Sequence, residues 1–345
     1  MIVVDNGSTD GSGELAAARG ARVVEERRRG YGSAYRTGLA AARGEVVVLA
    51  DADGTYPLNE LPQLLEPIND GTSDLVLGAR LNDQMEPGAM PWKNRWIGNP
   101  VLTGFLNLLF RARVSDAHSG LRAVRRSALQ ELPLRTSGME FASEMIVEAA
   151  KRGVRIAEVP IAYRARGGTS KLMPFRDAWR HVRYMLLRSP TALFFIPGGT
   201  LALLGLVPLL VLAGGPVTLF GRRWEVHTSI VAAIATLVGA QVVQLGAFAR
   251  TYAVLFLGER DTFLERAWGR VRLEHGLLLG GLLLLVGLVL LGFVVVRWIE
   301  HDFGVLNQSQ LSVLALTLVG LGVQTVFGSF FLSVLPLGLH TRRLR

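Results

Sequence analysis

Val46-Val47-Val48-Leu49-Ala50-Asp51-Ala52-Asp53-Gly54 decides how the first half of the chain folds. Its five leading residues are apolar and mostly β-branched, in a run too short for a helix, so it reads as a buried strand of a parallel sheet. The strand ends on two carboxylates and a glycine. Alternation along extended backbone separates Asp51 from Asp53 by one residue. At that spacing both reach one hard divalent cation, directly or through water, and the cation also holds a diphosphate. Two acids near a turn are common, but at the tip of a buried strand they stand where open α/β sheets collect ligands.

The pattern continues on both sides. Ile2 to Val4, Ala21 to Val24 and Leu75 to Ala79 are further short apolar runs bounded by turn residues. Gly11 to Arg19, Tyr31 to Ala42 and Leu58 to Ile68 supply helical patterns between them, the last weakened by Pro62 and Pro67. Alternating strands and helices predict an α/β layered sheet. After the first strand, Asp5-Asn6-Gly7-Ser8-Thr9-Asp10-Gly11 is a turn-rich loop. The Asp5 carboxylate at that tip suits a nucleobase imide or a ribose hydroxyl, and an Asx turn with a helix cap explains it equally well. Arg80, after the fourth strand, reads equally as a bridge to phosphate or as an ion pair.

The second half is of another kind. The chain has 345 residues, 50% of them hydrophobic and 19% charged, and its mean hydropathy is +0.34. That balance excludes a disordered polyampholyte and fits an ordinary soluble globule poorly. Cysteine is absent, which excludes disulfides, thiolate metal sites and cysteine nucleophiles. Ala192 to Ala213, Thr228 to Ala249, Gly276 to Val296 and Leu311 to Leu337 each lack charge for the roughly 20 residues that a membrane-crossing helix needs. Residues 151 to 190 carry ten basic and two acidic side chains directly before the first span, a collar suited to anionic headgroups or phosphate. Nucleic acid is not expected as a partner, because no zinc, helix-turn-helix or aromatic RNA-binding signature accompanies the charge.

Orientation follows from basic residues near the span ends. The collar, the loop residues Arg260, Arg266, Arg270 and Arg272, and the tail residues Arg342, Arg343 and Arg345 fall on one side. Arg222, Arg223 and Arg297 fall on the other. The chain is thus expected to be an integral protein of the plasma membrane with both termini and its first domain cytoplasmic. Phe175, Trp179, Val182 and Leu186 recur at helical spacing beside Arg176, Arg180 and Arg183, which predicts an interfacial helix, or else an amphipathic helix packed on the first domain.

The succession VVDNGSTDGS, VVVLADADGTYP, LVLGAR, SDAHSGLRAVRR and RARGGTSKL resembles the GT-A glycosyltransferases of family 2, in particular polyprenyl-phosphate glycosyltransferases of the dolichol-phosphate mannose synthase type. The resemblance covers about residues 1 to 190. It implies transfer of a hexose from a nucleoside-diphosphate sugar to a membrane polyprenyl phosphate, with inversion. Asp5 would meet the base, while Asp51 and Asp53 would hold Mg²⁺ or Mn²⁺ against the diphosphate. Asp116, Ser119 and Arg122 would line the junction of sugar and acceptor. Arg164, Arg166, Ser170 and Lys171 would receive lipid and donor phosphates. The nucleophile is already an anion, so no strong general base is needed. His118 reads as a turn histidine, and Glu140, Glu144 and Glu148, four apart, as a solvated helix face with Glu140 nearest the site.

The family begins with one more strand and a Pro-Ala-Xaa-Asn-Glu loop, so the resemblance implies a fold lacking its usual first strand and either a Met1 that is not the native start or a truncated chain. Some relatives carry an amide where Thr55 stands. The expected organisation is a GT-A domain at 1–172, an interfacial helix at 173–190 and a four-span membrane domain at 191–345, with a homo-oligomer left open. Two other functions compete. A polysaccharide synthase would carry Gln-x-x-Arg-Trp on an interfacial helix, whereas Trp92-Lys93-Asn94-Arg95-Trp96 lacks the glutamine and lies upstream. An inactive membrane scaffold is the other.

Overall fold

The computed structural model describes residues 1–167, 173–257, 273–304 and 308–335. Ser170, Lys171, the loop arginines Arg260, Arg266, Arg270 and Arg272, and the tail residues Arg342, Arg343 and Arg345 lie outside them. The chain divides into two compact units, Met1–Ser189 and Pro190–Arg345.

The first unit alternates strand and helix: β1 (Ile2–Asp5), α1 (Ser12–Ala18), β2 (Arg22–Glu25), α2 (Tyr31–Ala41), β3 (Val46–Leu49), α3 (Leu61–Asn69) and β4 (Leu75–Ala79). Then follow α4 (Asn99–Phe110), β5 (Arg122–Arg125), α5 (Arg126–Glu131), α6 (Phe141–Lys151), β6 (Ile156–Pro160) and α7 (Pro174–Leu187). The sheet is mixed rather than parallel throughout. β1 and β2 pair parallel by themselves, while a four-stranded sheet runs β3-β5-β4-β6. In it β5 is antiparallel to both β3 and β4, and β4 is parallel to β6.

Expected full burial holds for β4 alone, every residue of which is buried; β1, β2 and most of β3 are half-exposed. β5 escapes a hydrophobicity reading because Arg-Ala-Val-Arg begins and ends on charge. Its position is nonetheless central, and it is buried up to its last residue, Arg125. One core cluster gathers Leu49, Leu75, Leu77, Leu106, Val124, Phe141, Met145 and Met185. Another gathers Tyr56, Leu64, Ile68, Val76, Leu121 and Ile161 on the α3 side.

The carboxylates of α6 are not a solvated face. Glu144 and Glu148 are buried. Glu144 accepts hydrogen bonds from Arg135 N, Thr136 N and the Thr136 hydroxyl, at 2.9, 2.9 and 2.6 Å. Glu148 pairs with Arg152 and Arg188. Burial of each acid is thereby offset by charge or by several donors.

α7 uses two faces. Asp177, His181 and Met185, four apart, are buried, and α7 packs on α4 and α6. Phe175 and Trp179 stay exposed on the opposite side, at 93% and 59%, as do Arg176, Arg180 and Arg183.

The second unit holds four helices long and apolar enough to cross a membrane: Thr191–Leu212, Val226–Phe256, Leu273–Glu300 and Ser309–Val334. We name their regular parts α8 (Ile196–Leu212), α9 (Val226–Leu257), α10 (Leu273–Glu300) and α11 (Ser309–Val334). A hairpin of β7 (Val217–Leu219) and β8 (Arg222–Trp224) joins α8 to α9. Small residues set the packing, as expected where lipid is as apolar as leucine. At Gly280 an added Cβ would lie 2.9 Å from Gly322 O, and at Gly322 it would lie 2.7 Å from Gly280 O. Leucines such as Leu282 and Leu285 are exposed and face where lipid would be.

Candidate functional site

The β3 strand delivers Asp51 and Asp53 to its carboxyl end, where each side chain is oriented by a neighbour. Asp51 Oδ1 accepts a 2.8 Å hydrogen bond from the Tyr35 hydroxyl on α2. Against its other oxygen runs the loop that leads into β5. A Cβ on Gly120 would lie 2.4 Å from Asp51 Oδ2, so only glycine lets this loop pass. Gly120 N donates to the Tyr56 hydroxyl at 2.7 Å, fixing the same loop from the other side. Burial pushes the Tyr35 and Tyr56 phenols up, so both stay protonated.

Asp53 Oδ1 accepts from Thr55 N at 3.1 Å and from the Thr55 hydroxyl at 2.6 Å. Thr55, which stands where some relatives carry an amide, thus orients the second aspartate. Asp53 Oδ2 pairs with Arg166 Nη2 at 2.7 Å. Arg164 N donates to Thr55 O at 3.0 Å, and Ala165 N donates to Glu86 Oε2 at 3.1 Å. The strand-tip acids and the basic segment therefore meet. Two carboxylates are a donor set that fits a hard divalent cation. Among the described residues no group of three or more His, Cys, Asp or Glu is placed to hold a metal.

Asp116, Ser119 and Arg122 are all buried, which alters the role expected for two of them. Asp116 forms a bidentate pair with Arg80, at 2.7 Å to Nε and 2.8 Å to Nη2, and accepts Arg80 N at 3.0 Å. Burial favours its neutral form, but the Arg80 guanidinium outweighs this and holds the carboxyl below its usual range. Arg122 donates to the carbonyls of Ser119, Ala142 and Ala117 at 2.8, 2.9 and 3.0 Å, and burial lowers its affinity for the proton. Asp116 and Arg122 shape the loop from inside rather than line an open junction. The Ser119 hydroxyl is a buried oxygen without a hydrogen-bond partner among the described residues. Arg80 is thus an ion-pair residue, stacked at 5.3 Å over the Tyr163 ring.

His118 is tied inward. Its Nε2 lies 3.1 Å from Ser143 Oγ, which lies 2.7 Å from His181 Nδ1 on α7. Burial lowers both histidines, His181 to about 4, and each is neutral at pH 7. The cluster links the loop under Asp51 to α6 and α7.

Asp5 stands at the tip of β1, in the other sheet. It accepts Ser8 N at 2.8 Å, and Ser8 holds its carboxyl below the usual range, so the Asx-turn reading is realised. Asn6 was missed from sequence. Its amide donates to Glu26 O and Arg28 O and its oxygen accepts Gly30 N, pinning the arginine-rich 26–30 loop beside Asp5. Tyr35 and Tyr56 were missed because aromatic residues at these spacings read as core. Arg125 and Arg126 serve the fold, donating to Ile68 O and Arg43 O.

Comparison with known proteins adds to this geometry. Residues 1–133 match the model of glycosyl transferase family 2, and residues 247–336 match the family 2 C-terminal transmembrane region. The low-salt glycan biosynthesis hexosyltransferase Agl6 of Haloferax volcanii is 41% identical over 334 residues, covering 97% of this chain and 81% of that one. A dolichyl-phosphate hexose transferase of the same organism is 41% identical over 174 residues, 50% of this chain and 74% of that one. Among solved structures, glucosyl-3-phosphoglycerate synthase of Mycobacterium tuberculosis with Mn²⁺, UDP-glucose and phosphoglyceric acid superposes with a TM-score of 0.46 at 28% identity, over 55% of this chain and 68% of that one. A near full-length relative, the matched catalytic and transmembrane regions, and the aspartate pair at the tip of β3 lead to one conclusion: the chain is a membrane glycosyltransferase that belongs to glycosyl transferase family 2.

Proposed function

We propose that the chain transfers a hexose from a nucleoside-diphosphate sugar to the phosphate of a membrane polyprenyl, with inversion and with Mg²⁺ or Mn²⁺ at Asp51 and Asp53. The observation that carries this reading is the contact between Asp53 and Arg166. It sets carboxylates suited to a cation and its diphosphate within ion-pair reach of a segment suited to a second phosphate. The Haloferax relatives support it, one named a hexosyltransferase and the other a dolichyl-phosphate hexose transferase.

Each residue then has a role. Asp51 and Asp53 hold the cation, with Tyr35 and Thr55 fixing which oxygen each presents. When bound, the cation neutralises charge developing on the leaving diphosphate. Asp5 accepts from the nucleotide. Arg164 and Arg166, with Ser170 and Lys171, meet the lipid phosphate, which attacks without needing a general base because it is already anionic. Asp116 and Arg122 position the loop that presents Ser119.

A polyprenyl phosphate keeps its tail in the bilayer, so its headgroup must be met at the interface. The exposed Phe175 and Trp179 of α7, beside Arg176, Arg180 and Arg183, suit that level. We place the first unit on the cytoplasmic side of the plasma membrane, from the distribution of basic residues.

Steady-state kinetics in detergent test the reading. Arg166→Ala is expected to raise the KM for polyprenyl phosphate several-fold more than that for the nucleotide sugar. An equal effect on both constants, or none, would reduce Arg166 to a loop residue.

A further inference from the structure

We infer that Arg166 serves two anions in turn: it neutralises Asp53 until a divalent cation takes that carboxylate, and it is then released to the acceptor phosphate. This inference rests on the functional reading above and adds an order of assembly. The acceptor half of the site becomes complete only after the cation has arrived.

Both oxygens of Asp53 are already engaged. Oδ1 already accepts both Thr55 donors, and Oδ2 is the oxygen that faces the Arg166 guanidinium at 2.7 Å. A hard cation binds a carboxylate oxygen at about 2.1 Å for Mg²⁺ and slightly further for larger ions. A guanidinium on the same oxygen would be brought against a divalent charge, and that repulsion sets the two in competition for Asp53. The pair is also only partly shielded, with side-chain exposures of 32% for Arg166 and 20% for Asp53. Water can therefore assist the exchange.

The backbone beside Arg166 is held, so release needs a side chain to swing rather than a loop to refold. Tyr163 bridges to Met85, Arg164 N is bonded to Thr55 O and Ala165 N to Glu86 Oε2. Arg164 itself lies 4.0 Å from Glu86 and is more than half exposed. Arg166 is thus the member of the Arg-x-Arg pair whose charge is committed to the cation site.

Two equilibrium measurements on the full chain in detergent decide the matter, neither of which reads turnover. The first is Mn²⁺ binding without nucleotide, followed by electron paramagnetic resonance of the free ion. Arg166→Gln is expected to bind Mn²⁺ about fivefold more tightly than the wild type, the worth of a partly exposed ion pair, and Arg166→Lys to stay near the wild type. The second is binding of geranylgeranyl phosphate. In the wild type Mn²⁺ should strengthen it, whereas Asp53→Asn, which frees Arg166 outright, should bind it as tightly without Mn²⁺ as the wild type does with it. Unchanged or weaker Mn²⁺ binding in Arg166→Gln, while Asp53→Asn loses Mn²⁺, would overturn the exchange and leave the proposed function standing. Wild-type Mn²⁺ affinity in Asp53→Asn would overturn both.

Discussion

In the proposed site, Asp53 is the residue on which the donor and acceptor halves meet, and its substitution separates chemistry from folding. It is a strand-tip side chain whose carboxylate touches Thr55 and Arg166, so Asp53→Ala should leave the melting temperature nearly unchanged. Metal-dependent turnover should fall about a hundredfold or more, as when a transition-state charge loses a preorganised partner. The Arg80–Asp116 pair behaves in the opposite way. It is buried at both ends, and removing one partner leaves an uncompensated charge that costs about 3–5 kcal/mol. Arg80→Met should therefore unfold at much lower temperature than the wild type, and Arg80→Met with Asp116→Leu should recover much of the loss in the same thermal melt.

His181 gives the first unit an acid-sensitive window. Its folded value is about 4 because burial outweighs the pull of Glu140 and Asp177, against about 6.5 in the unfolded chain. Below pH 6.5 the unfolded chain takes up a proton that the folded one refuses, so stability falls from there to pH 4, by up to about 3 kcal/mol, and levels off below. Arg122, close by, also opposes protonation. Thermal melts between pH 7 and 4 should show a shallower decline for His181→Gln than for the wild type. An identical slope would remove His181 from the account.

At the scale of elements, the strand-tip aspartates were legible because a short β-branched run ending in Asp-Ala-Asp-Gly has few other readings. What hid β5 was its own chemistry. Arg122 and Arg125 are charged, yet they bond to backbone carbonyls inside the fold, and no hydrophobic pattern announces that. The glutamates of α6 misled for a related reason, since four-residue spacing describes a face without saying whether donors await it. In α7 the amphipathic spacing was visible, but Met185 and His181, which pack inward, were not separable from Trp179, which does not. The faces differ measurably. Met185→Ala should cost about 2–5 kcal/mol, while Trp179→Ala in detergent should change stability by no more than about 0.5 kcal/mol. Comparable losses at both would show Trp179 to be packed on protein.

For the whole molecule, charge density drops after Pro190 and four long uncharged stretches follow, and the two compact units part at that residue, with α7 inside the first. The helices Val226–Phe256 and Leu273–Glu300 extend beyond their stretches at both ends, Thr191–Leu212 matches its stretch to within one residue at each end, and Ser309–Val334 begins two residues before its own, since residues such as Arg250 and Glu274 can end an uncharged run without ending a helix. Sequence did not reveal that β1 and β2 stand apart from the four-stranded sheet, because strand order depends on long-range pairing that local patterns do not encode. Hexosyl transfer to a lipid phosphate by the proposed Asp51–Asp53 site is measured on the full chain. Purified protein in detergent is given radiolabelled UDP- and GDP-hexoses, polyprenyl phosphate and Mn²⁺, and label is followed into the organic phase. The wild type should form a labelled polyprenyl-phosphate hexose from one of these donors, and Asp53→Ala should form about a hundredfold less or lower still. Label that stays in the aqueous phase with every donor, or equal lipid labelling by Asp53→Ala, would contradict the account.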